Sequence, residues 1–543
     1  MVRAVVTGTG WSQQISPDQG RYQAARQPRL ADDWTLTRLT PPSRLFGANG
    51  LRTGPDGRMY IAQVTGSQIS ALDLMSGQLQ TVSAKGGDIT APDDVAFDPD
   101  GNLYATEVMD GRVSVRDAAG QVKVLRDDLP CANGITFHHG RLFIGECRAG
   151  GRLLELDRNG AVRQVLLDNA PSPNAMEVGP DGLLYFPLMG ANEIWRIDPD
   201  GGSPERVAGD LGVPDAVKFD SDGYLVSTQV HSGQVLRIDP RTGDRTVLAE
   251  LNPGLDNLTF VDGRLFVSNF TGEITEVLAA GHSRTVLPGG LNWPLDLAVG
   301  VDGNLYIADG TYLYRLVDKT LRTVAMMFTP GYPGFLRGLA PLPDGAFAVT
   351  TSNGEVARYR PDSGECDYLA QGFDQLYGIA GTSGGAVVVA ELGAGRVLSI
   401  DRGRVDVLAS DLREPVGVAV AADGAALVSE AGAGRVVKLD GTGTVVDGLQ
   451  RPQGILVLGT ELYIVDADAK ELVAFDMATR ARRTIAADLP VGAPPGVRPK
   501  PLRGMPPFSG PQGPFAGITA GPDGTVYVSA DAEGSVLALR RNG

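Results

Sequence analysis

Cysteine is scarce in this chain: 543 residues hold three, Cys131, Cys147 and Cys366. Three do not make a disulfide framework, and a reducing compartment is expected rather than secretion. Long apolar runs are missing as well. No stretch reaches 18 uninterrupted apolar residues, so no helical membrane span is expected. The opening MVRAVVTGTGWSQQ lacks an apolar core of signal-peptide length. A cytoplasmic location follows as the expectation. Positive charge is in deficit: the net charge is −16 and the pI about 4.8. That argues against nucleic acid or an anionic membrane as partner and suits cations. The four histidines and three cysteines form no cluster with zinc spacing. No Gly-rich loop opens a helix in nucleotide-binding style, and no Ser-His-Asp grouping is apparent.

Glycine and proline are plentiful, at 72 and 36, as in a chain of many turns. Residues 131–157, CANGITFHHGRLFIGECRAGGRLLELD, show three short apolar runs bounded by Gly turns. These are three antiparallel strands, A, B and C, and VKVLR at 122–126 supplies a strand D before them. The third strand recurs at Ile69, Val113, Leu153, Ile194, Val235, Ile274, Leu313, Val356, Val397, Val436, Leu472 and Val536. Most copies lie 39 to 44 residues apart, and the last gap is 64. A four-stranded unit of this length is a β-propeller blade.

Twelve blades exceed the usual ring size of four to eight. The expected fold is therefore all-β, with two tandem six-bladed β-propellers of four-stranded antiparallel blades. Residues 1–33 form an N-terminal arm, 34–280 the first propeller and 281–543 the second. Since the repeat opens on a D strand and ends on a C strand, each ring is expected to close through a composite blade. Trp34 to Leu39 would pair with Ile274 to Val277, and Ser283 to Leu287 with Val536 to Leu539. Residues 489–514 are a Pro-rich insertion, expected as a lid over one face of the second ring.

Aligning the blades at the opening of strand A gives the functional candidates. The first six present Asn49, Asp93, Asn133, Asn174, Asp215 and Asp256. The last six present Leu295, Arg337, Tyr377, Val416, Gln453 and Ala516. Strand A is innermost, so the first set encircles a channel with oxygen donors suited to a hard divalent cation. Turn chemistry also favours Asn and Asp at strand starts, but it would act on both rings alike. Asn133, Asn174 and Asp215 are the leading metal ligands, with Asn49, Asp93 or Asp256 completing the shell. Asp93 or Asp256, left free, would take a proton. His231, in a B–C turn, is a further proton carrier or an exposed loop residue. His138 and His139 fall in an A–B turn on the opposite face.

Strand B ends in Gln63, Glu107, Glu146, Leu188, Gln229 and Asn269. Glu107 precedes Arg112, Glu146 precedes Arg152, Glu391 precedes Arg396 and Glu430 precedes Arg435; Gln63 and Gln229 precede Gln68 and Gln234. Matched exchange points to structural pairs across the B–C hairpin. In the second ring, Arg337 and Tyr377, with Trp293, Tyr332 and Phe335 nearby, suit either an organic anion or packing between rings.

The segments APDDVAFDPDGNLYATE, CANGITFHHGRLFIGE and SPNAMEVGPDGLLYF resemble the senescence-marker-protein/gluconolactonase family of six-bladed, NHL-like propellers. The likeness covers most of residues 34–278 and, more loosely, 283–541. It implies one divalent cation in the channel, held by a Glu, two Asn and an Asp, and hydrolysis of sugar or other lactones. The family's Asn-Gly ligand matches Asn133 or Asn174, and its Asp ligand matches Asp215. Its Glu has no match here, and Asn49 occupies the comparable blade opening. The expectation is a metal-dependent hydrolase of lactonase type acting on a small molecule, with Ca²⁺ first and Mg²⁺, Mn²⁺ or Zn²⁺ as alternatives. A propeller lyase or cyclase, or a non-enzymatic binding or scaffold propeller, is the competing reading.

Overall fold

The computed structural model describes Arg21 and residues 27–542. Among the described residues, helix is limited to two short 3₁₀ turns, Met189–Ala191 and Ala279–Gly281. None is long and apolar enough to cross a membrane. Twelve antiparallel sheets account for the rest. Blade one runs Leu51–Thr53, Met59–Gln63, Gln68–Leu72 and Leu79–Ser83, from the axis outward. Tight turns join strands A and B, and Gly57 and Gly101 take the positive φ, 76° and 82°, that these turns require.

Contacts between innermost strands close two rings. Leu51–Thr53 touches Pro92–Phe97 on one side and Leu255–Val261 on the other. Asp296–Val299 likewise touches Leu336–Pro341 and Ile518–Ala520.

The expected closure is corrected by the strand pairings. Ser283–Leu287 pairs with Ile274–Val277, from Ile274↔Leu287 to Val277↔Ser283. The turn between them is short, with the Leu278 N–H bonded to the His282 carbonyl at 2.8 Å. A local hairpin costs little loop entropy, so this strand completes the sixth blade of its own ring. Trp34–Arg38 is then left for the last blade, pairing with Ser535–Arg541 from Trp34↔Arg541 to Arg38↔Leu537. Only the second ring is composite. The first ring ends at Leu287 rather than near residue 280, and it lies in sequence between the last strand of the second ring and that ring's remaining strands. Part of the expected arm is also strand: Arg29–Leu30 adds a fifth strand to the blade that ends in Arg482–Ala487.

The axis of each ring is narrow, and the residue after each strand-opening position shows it. In the second ring that residue is Gly338, Gly378, Gly417, Gly454 or Gly517 in five of the blades. A Cβ at Gly417 would lie 2.1 Å from the Gln453 carbonyl oxygen of the next blade. Gly417→Ala is expected to cost about 1–3 kcal/mol by overpacking, seen as a lower denaturant midpoint at unchanged slope.

The rings meet through apolar side chains at the ends where their A strands start. One cluster joins Val64, Val108, Met109 and Cys131 of the first ring to Trp293, Phe335, Tyr377, Val416 and Phe515 of the second. Another joins Cys147, Met189 and Val230 to Leu291, Tyr312 and Met326.

Candidate functional site

Each strand-opening residue is aimed by a kink in its own chain. The residue two positions earlier has positive φ at all six sites of the first ring: Gly47, Ala91, Cys131, Ser172, Val213 and Gly254. Four of these are not glycine, and Val213 at φ 65° is β-branched. Such a conformation costs about 1–3 kcal/mol and persists only where its surroundings enforce it. In four blades the A–B register also slips just here, between Pro92 and Val95, Ala132 and Ile135, Pro214 and Val217, and Leu255 and Leu258. These are β-bulges, which re-aim side chains beside functional sites. The second ring has the same bulge at Arg337, Tyr377, Val416 and Gln453 but carries no Asn or Asp at these positions.

The kinks bring Asn49, Asp93, Asn133, Asn174, Asp215 and Asp256 to one cavity of about 740 Å³, its mouth included. All but the half-buried Asn49 are buried, with Asn174 1% exposed. The Asn49 Nδ2 donates to Asp256 Oδ2 at 2.9 Å, and Asn49 Oδ1 accepts the Val64 N–H at 3.1 Å. The Asn174 Nδ2 donates to Asp215 Oδ1 at 2.9 Å, while Asn174 Oδ1 is buried without a partner.

Three buried carboxyls therefore line one cavity, with no basic residue among the charges that act on them. Burial, then the charge of Asp94, pushes Asp93 up to about 7. Burial, then Asp93 and Asp94, pushes Asp215 well above the carboxylate range. Burial, then Asp215 and Asp93, does the same to Asp256, against a small opposing effect of the Asn49 hydrogen bond. Among the described residues, no three His, Cys, Asp or Glu groups converge as a metal cluster. A cation here would take mixed amide and carboxylate oxygens. The unpartnered Asn174 Oδ1 and the uncompensated carboxyls fit such a cation by donor chemistry.

The roof comes from the second ring and the Pro-rich insertion. Asn292, Thr311, Met327, Phe328 and Phe335 line the cavity, as do Met505, Phe508 and Ser509. Phe328 stacks on Phe270 of the first ring at 6.2 Å between centroids and meets Phe508 at 5.7 Å. The insertion tip is a small hairpin, Met505↔Ser509, anchored where the Gly510 N–H bonds Ser352 Oγ at 3.0 Å. The expected lid thus rests on the second ring, and its tip covers the site of the first.

His231 does not join the site. It is exposed, its N–H bonds the Gly212 carbonyl at 3.0 Å, and the neighbouring Val230 takes the buried position. Cys147 does line the cavity, but burial and the charges of Asp215 and Asp93 push its thiol well up, away from thiolate chemistry.

The strand-B residues are structural, for a reason fuller than the expected pairs. Glu107–Arg112 and Glu430–Arg435 are ion pairs at 2.5 Å, and Glu146–Arg152 and Glu391–Arg396 are paired too. Glu146 also accepts the Arg152 N–H at 3.2 Å. Others of these side chains accept backbone N–H groups from the segment entering strand A: Asp374 onto Glu391 at 2.8 Å, Arg413 onto Glu430 at 2.8 Å, Phe46 onto Gln63 at 2.9 Å and Gly212 onto Gln229 at 2.9 Å. They brace the kink. Gln63 and Gln68 share Ser70 Oγ instead of bonding each other, and Gln234 turns to Glu250.

A polar plug below the site is new. Arg52 and Lys218 both bond Glu177, at 3.4 and 2.5 Å, and Arg52 lies 3.6 Å from Asp94. Arg52 also donates to the carbonyls of Val95 and Ile135. The clue in the sequence is a charged residue three positions after Asn49, Asn174 and Asp215, where other first-ring blades carry Ala or Thr.

Residues 14–267 match the family model of the SMP-30/gluconolactonase/LRE-like region. No curated protein matches the chain. Similar solved structures include virginiamycin B lyase from Staphylococcus aureus, at 17% identity over 51% of this chain and 96% of that one, TM-score 0.38. A gluconolactonase from Xanthomonas campestris is 18% identical over 45% of this chain and 91% of that one, TM-score 0.37. Regucalcin, a calcium-binding protein from Agrobacterium tumefaciens, is 21% identical over 43% of this chain and 85% of that one, TM-score 0.35. The match stops within the first ring, and it is this part of the chain that is similar to the SMP-30/gluconolactonase/LRE-like region.

Proposed function

We propose that the first ring is a metal-dependent hydrolase of lactonase type, acting on a small molecule with an apolar body. One observation carries the reading: three buried carboxyls and the orphaned Asn174 oxygen meet at one roofed cavity with no cationic residue to balance them. Asn133, Asn174 and Asp215, with Asn49, would hold a divalent cation, Ca²⁺ in the first instance. When bound, the cation supplies Lewis acidity to a carbonyl oxygen and acidifies water. Asp93 lines the same cavity and serves as general base, the bound cation favouring the ionised form that accepts a proton. Asp256, tied to Asn49, holds that side chain in place and is the second candidate for the proton.

The walls argue for the substrate class. Above the polar ring the cavity presents Met109, Met189, Met327, Phe270, Phe328 and Phe508. Thr65, Asn292, Thr311 and Ser509 are the polar members of that wall, fewer hydrogen-bond partners than the several hydroxyls of a sugar would need, and burying hydroxyls unpaired is costly. The wall suits an aryl or alkyl lactone or ester whose carbonyl points down to the Asn/Asp ring.

The test is acid release in a pH-stat by EDTA-stripped protein before and after Ca²⁺ addition, with alkyl and aryl lactones beside gluconolactone. Ca²⁺-dependent acid release, faster with the apolar substrates, is expected. No release from any lactone overturns the hydrolase reading. A conjugated, ultraviolet-absorbing product would instead mark elimination, and ligand binding without turnover would mark a binding propeller. Phe508→Ala is expected to raise KM for apolar substrates roughly tenfold through lost contact area. The Ca²⁺-dependent rise in melting temperature should be unchanged.

A further inference from the structure

We infer that the channel of the second ring is an anion site, in which Arg337 holds a small carboxylate or halide ion. Arg337 is 1% exposed. Both terminal nitrogens of its guanidinium are buried without a hydrogen-bond partner. Its Cζ lies 4.1 Å from the ring centre of Tyr377 and 5.9 Å from that of Trp293. The aromatic faces stabilise a cation, and the Tyr377 side chain is the polar neighbour that acts on it, but no negative charge faces the N–H fork. Arginine does not shed its proton in proteins, so burial cannot neutralise it. A buried charge left uncompensated costs several kcal/mol. Among the described residues no carboxylate pairs with it, and the neighbouring strand-opening positions are Leu295, Val416, Gln453 and Ala516.

The outer mouth of the ring opens into a cavity whose lining reaches Leu339, two residues from Arg337, but not Arg337 itself. A cavity of about 710 Å³, mouth included, is lined by Gly378, Gly417 and Gly454. These are the residues immediately after Tyr377, Val416 and Gln453, in line with Arg337 around the axis. Asp296, the acid of this cavity, has its oxygens engaged by the N–H groups of Leu297 and Leu339 at 2.9 and 3.0 Å. The bulge that aims Asp215 in the first ring aims Arg337 in the second. The same backbone device thus presents oxygen donors to a cation in one ring and a donor fork to an anion in the other. A planar carboxylate accepts two parallel N–H bonds from such a fork, and a halide sits between them.

Bromide is the first probe. Crystals soaked in sodium bromide should show anomalous density in contact with the Arg337 guanidinium. In solution, bromide or formate should raise the melting temperature over a bulky sulfonate at matched ionic strength; the larger shift identifies halide or carboxylate. The shift should vanish in Arg337→Met and shrink in Arg337→Lys, which keeps the charge and loses the fork. Absence of both density and anion-dependent melting overturns the site. Density without any shift in solution means binding at crystal concentration only, and overturns it equally. Should Arg337→Met fail to fold, the parent and Arg337→Lys decide the question.

Discussion

Asp215→Asn is expected to remove the stabilisation that Ca²⁺ gives the parent protein and, in EDTA, to melt higher than the parent. Asparagine keeps the size of the side chain and an oxygen to accept the 2.9 Å bond from Asn174. What it removes is a charge that folding forces into a site already shared with Asp93 and Asp256. Without a cation that charge opposes folding; with one it supplies affinity. A residue that merely caps a strand would lower stability in both conditions when replaced. The pH dependence has a definite sign. Asp93 ionises near 3.8 when unfolded, but burial and the charge of Asp94 push it up to about 7 when folded. The folded state therefore binds more protons between those limits, and stability falls as pH rises from 3.8 to about 7. For Asp93 alone the fall is at most about 4 kcal/mol. In EDTA the parent should melt progressively lower from pH 5 to 8. Saturating Ca²⁺ should flatten the slope, because a cation favours the ionised form. Calorimetry at fixed ionic strength measures both effects; a Ca²⁺ shift surviving in Asp215→Asn would rule that residue out as a ligand.

Removing residues 1–39 is expected to open the second ring and leave the first closed. The last blade would lose its outer strand, paired from Trp34↔Arg541 to Arg38↔Leu537. Trp34, 5% exposed, packs with Tyr463, Leu537 and Leu539, so Trp34→Ala alone should cost about 3–5 kcal/mol. Hydrogen exchange after truncation should accelerate in Ser535–Arg541 and stay slow in Ile274–Val277. Loss of protection in Ile274–Val277 instead would restore the pairing expected from the repeat count. Because the roof over the Asn/Asp ring rests on the second ring, the truncated protein should also bind apolar ligands weakly.

The blades were legible because their cause is local. Alternating side chains and Gly-containing turns define a hairpin within about a dozen residues, and all twelve sheets follow that reading. The column from Asn49 to Asp256 was legible for the same reason: a repeat superposes equivalent positions, and six of them encircle one cavity. His231 stayed open between proton carrier and exposed loop residue because a side chain in a turn can point either way, and the structure has it exposed. From local pattern a lid is expected over the second ring, because nothing within residues 489–514 marks the first ring lying across from it.

Local chemistry in the sequence was enough to set strand, blade, ring number and the ring of oxygen donors. Which end strand completes which ring depended on a competition between a short hairpin and a closure across the whole chain, and loop entropy favoured the hairpin. The face-to-face docking of the rings was likewise beyond local pattern, because it rests on apolar side chains hundreds of residues apart, such as Val64 with Phe335 and Cys147 with Tyr312. That docking, with Phe508 brought over Phe328, turns an open channel mouth into an enclosed and largely apolar chamber.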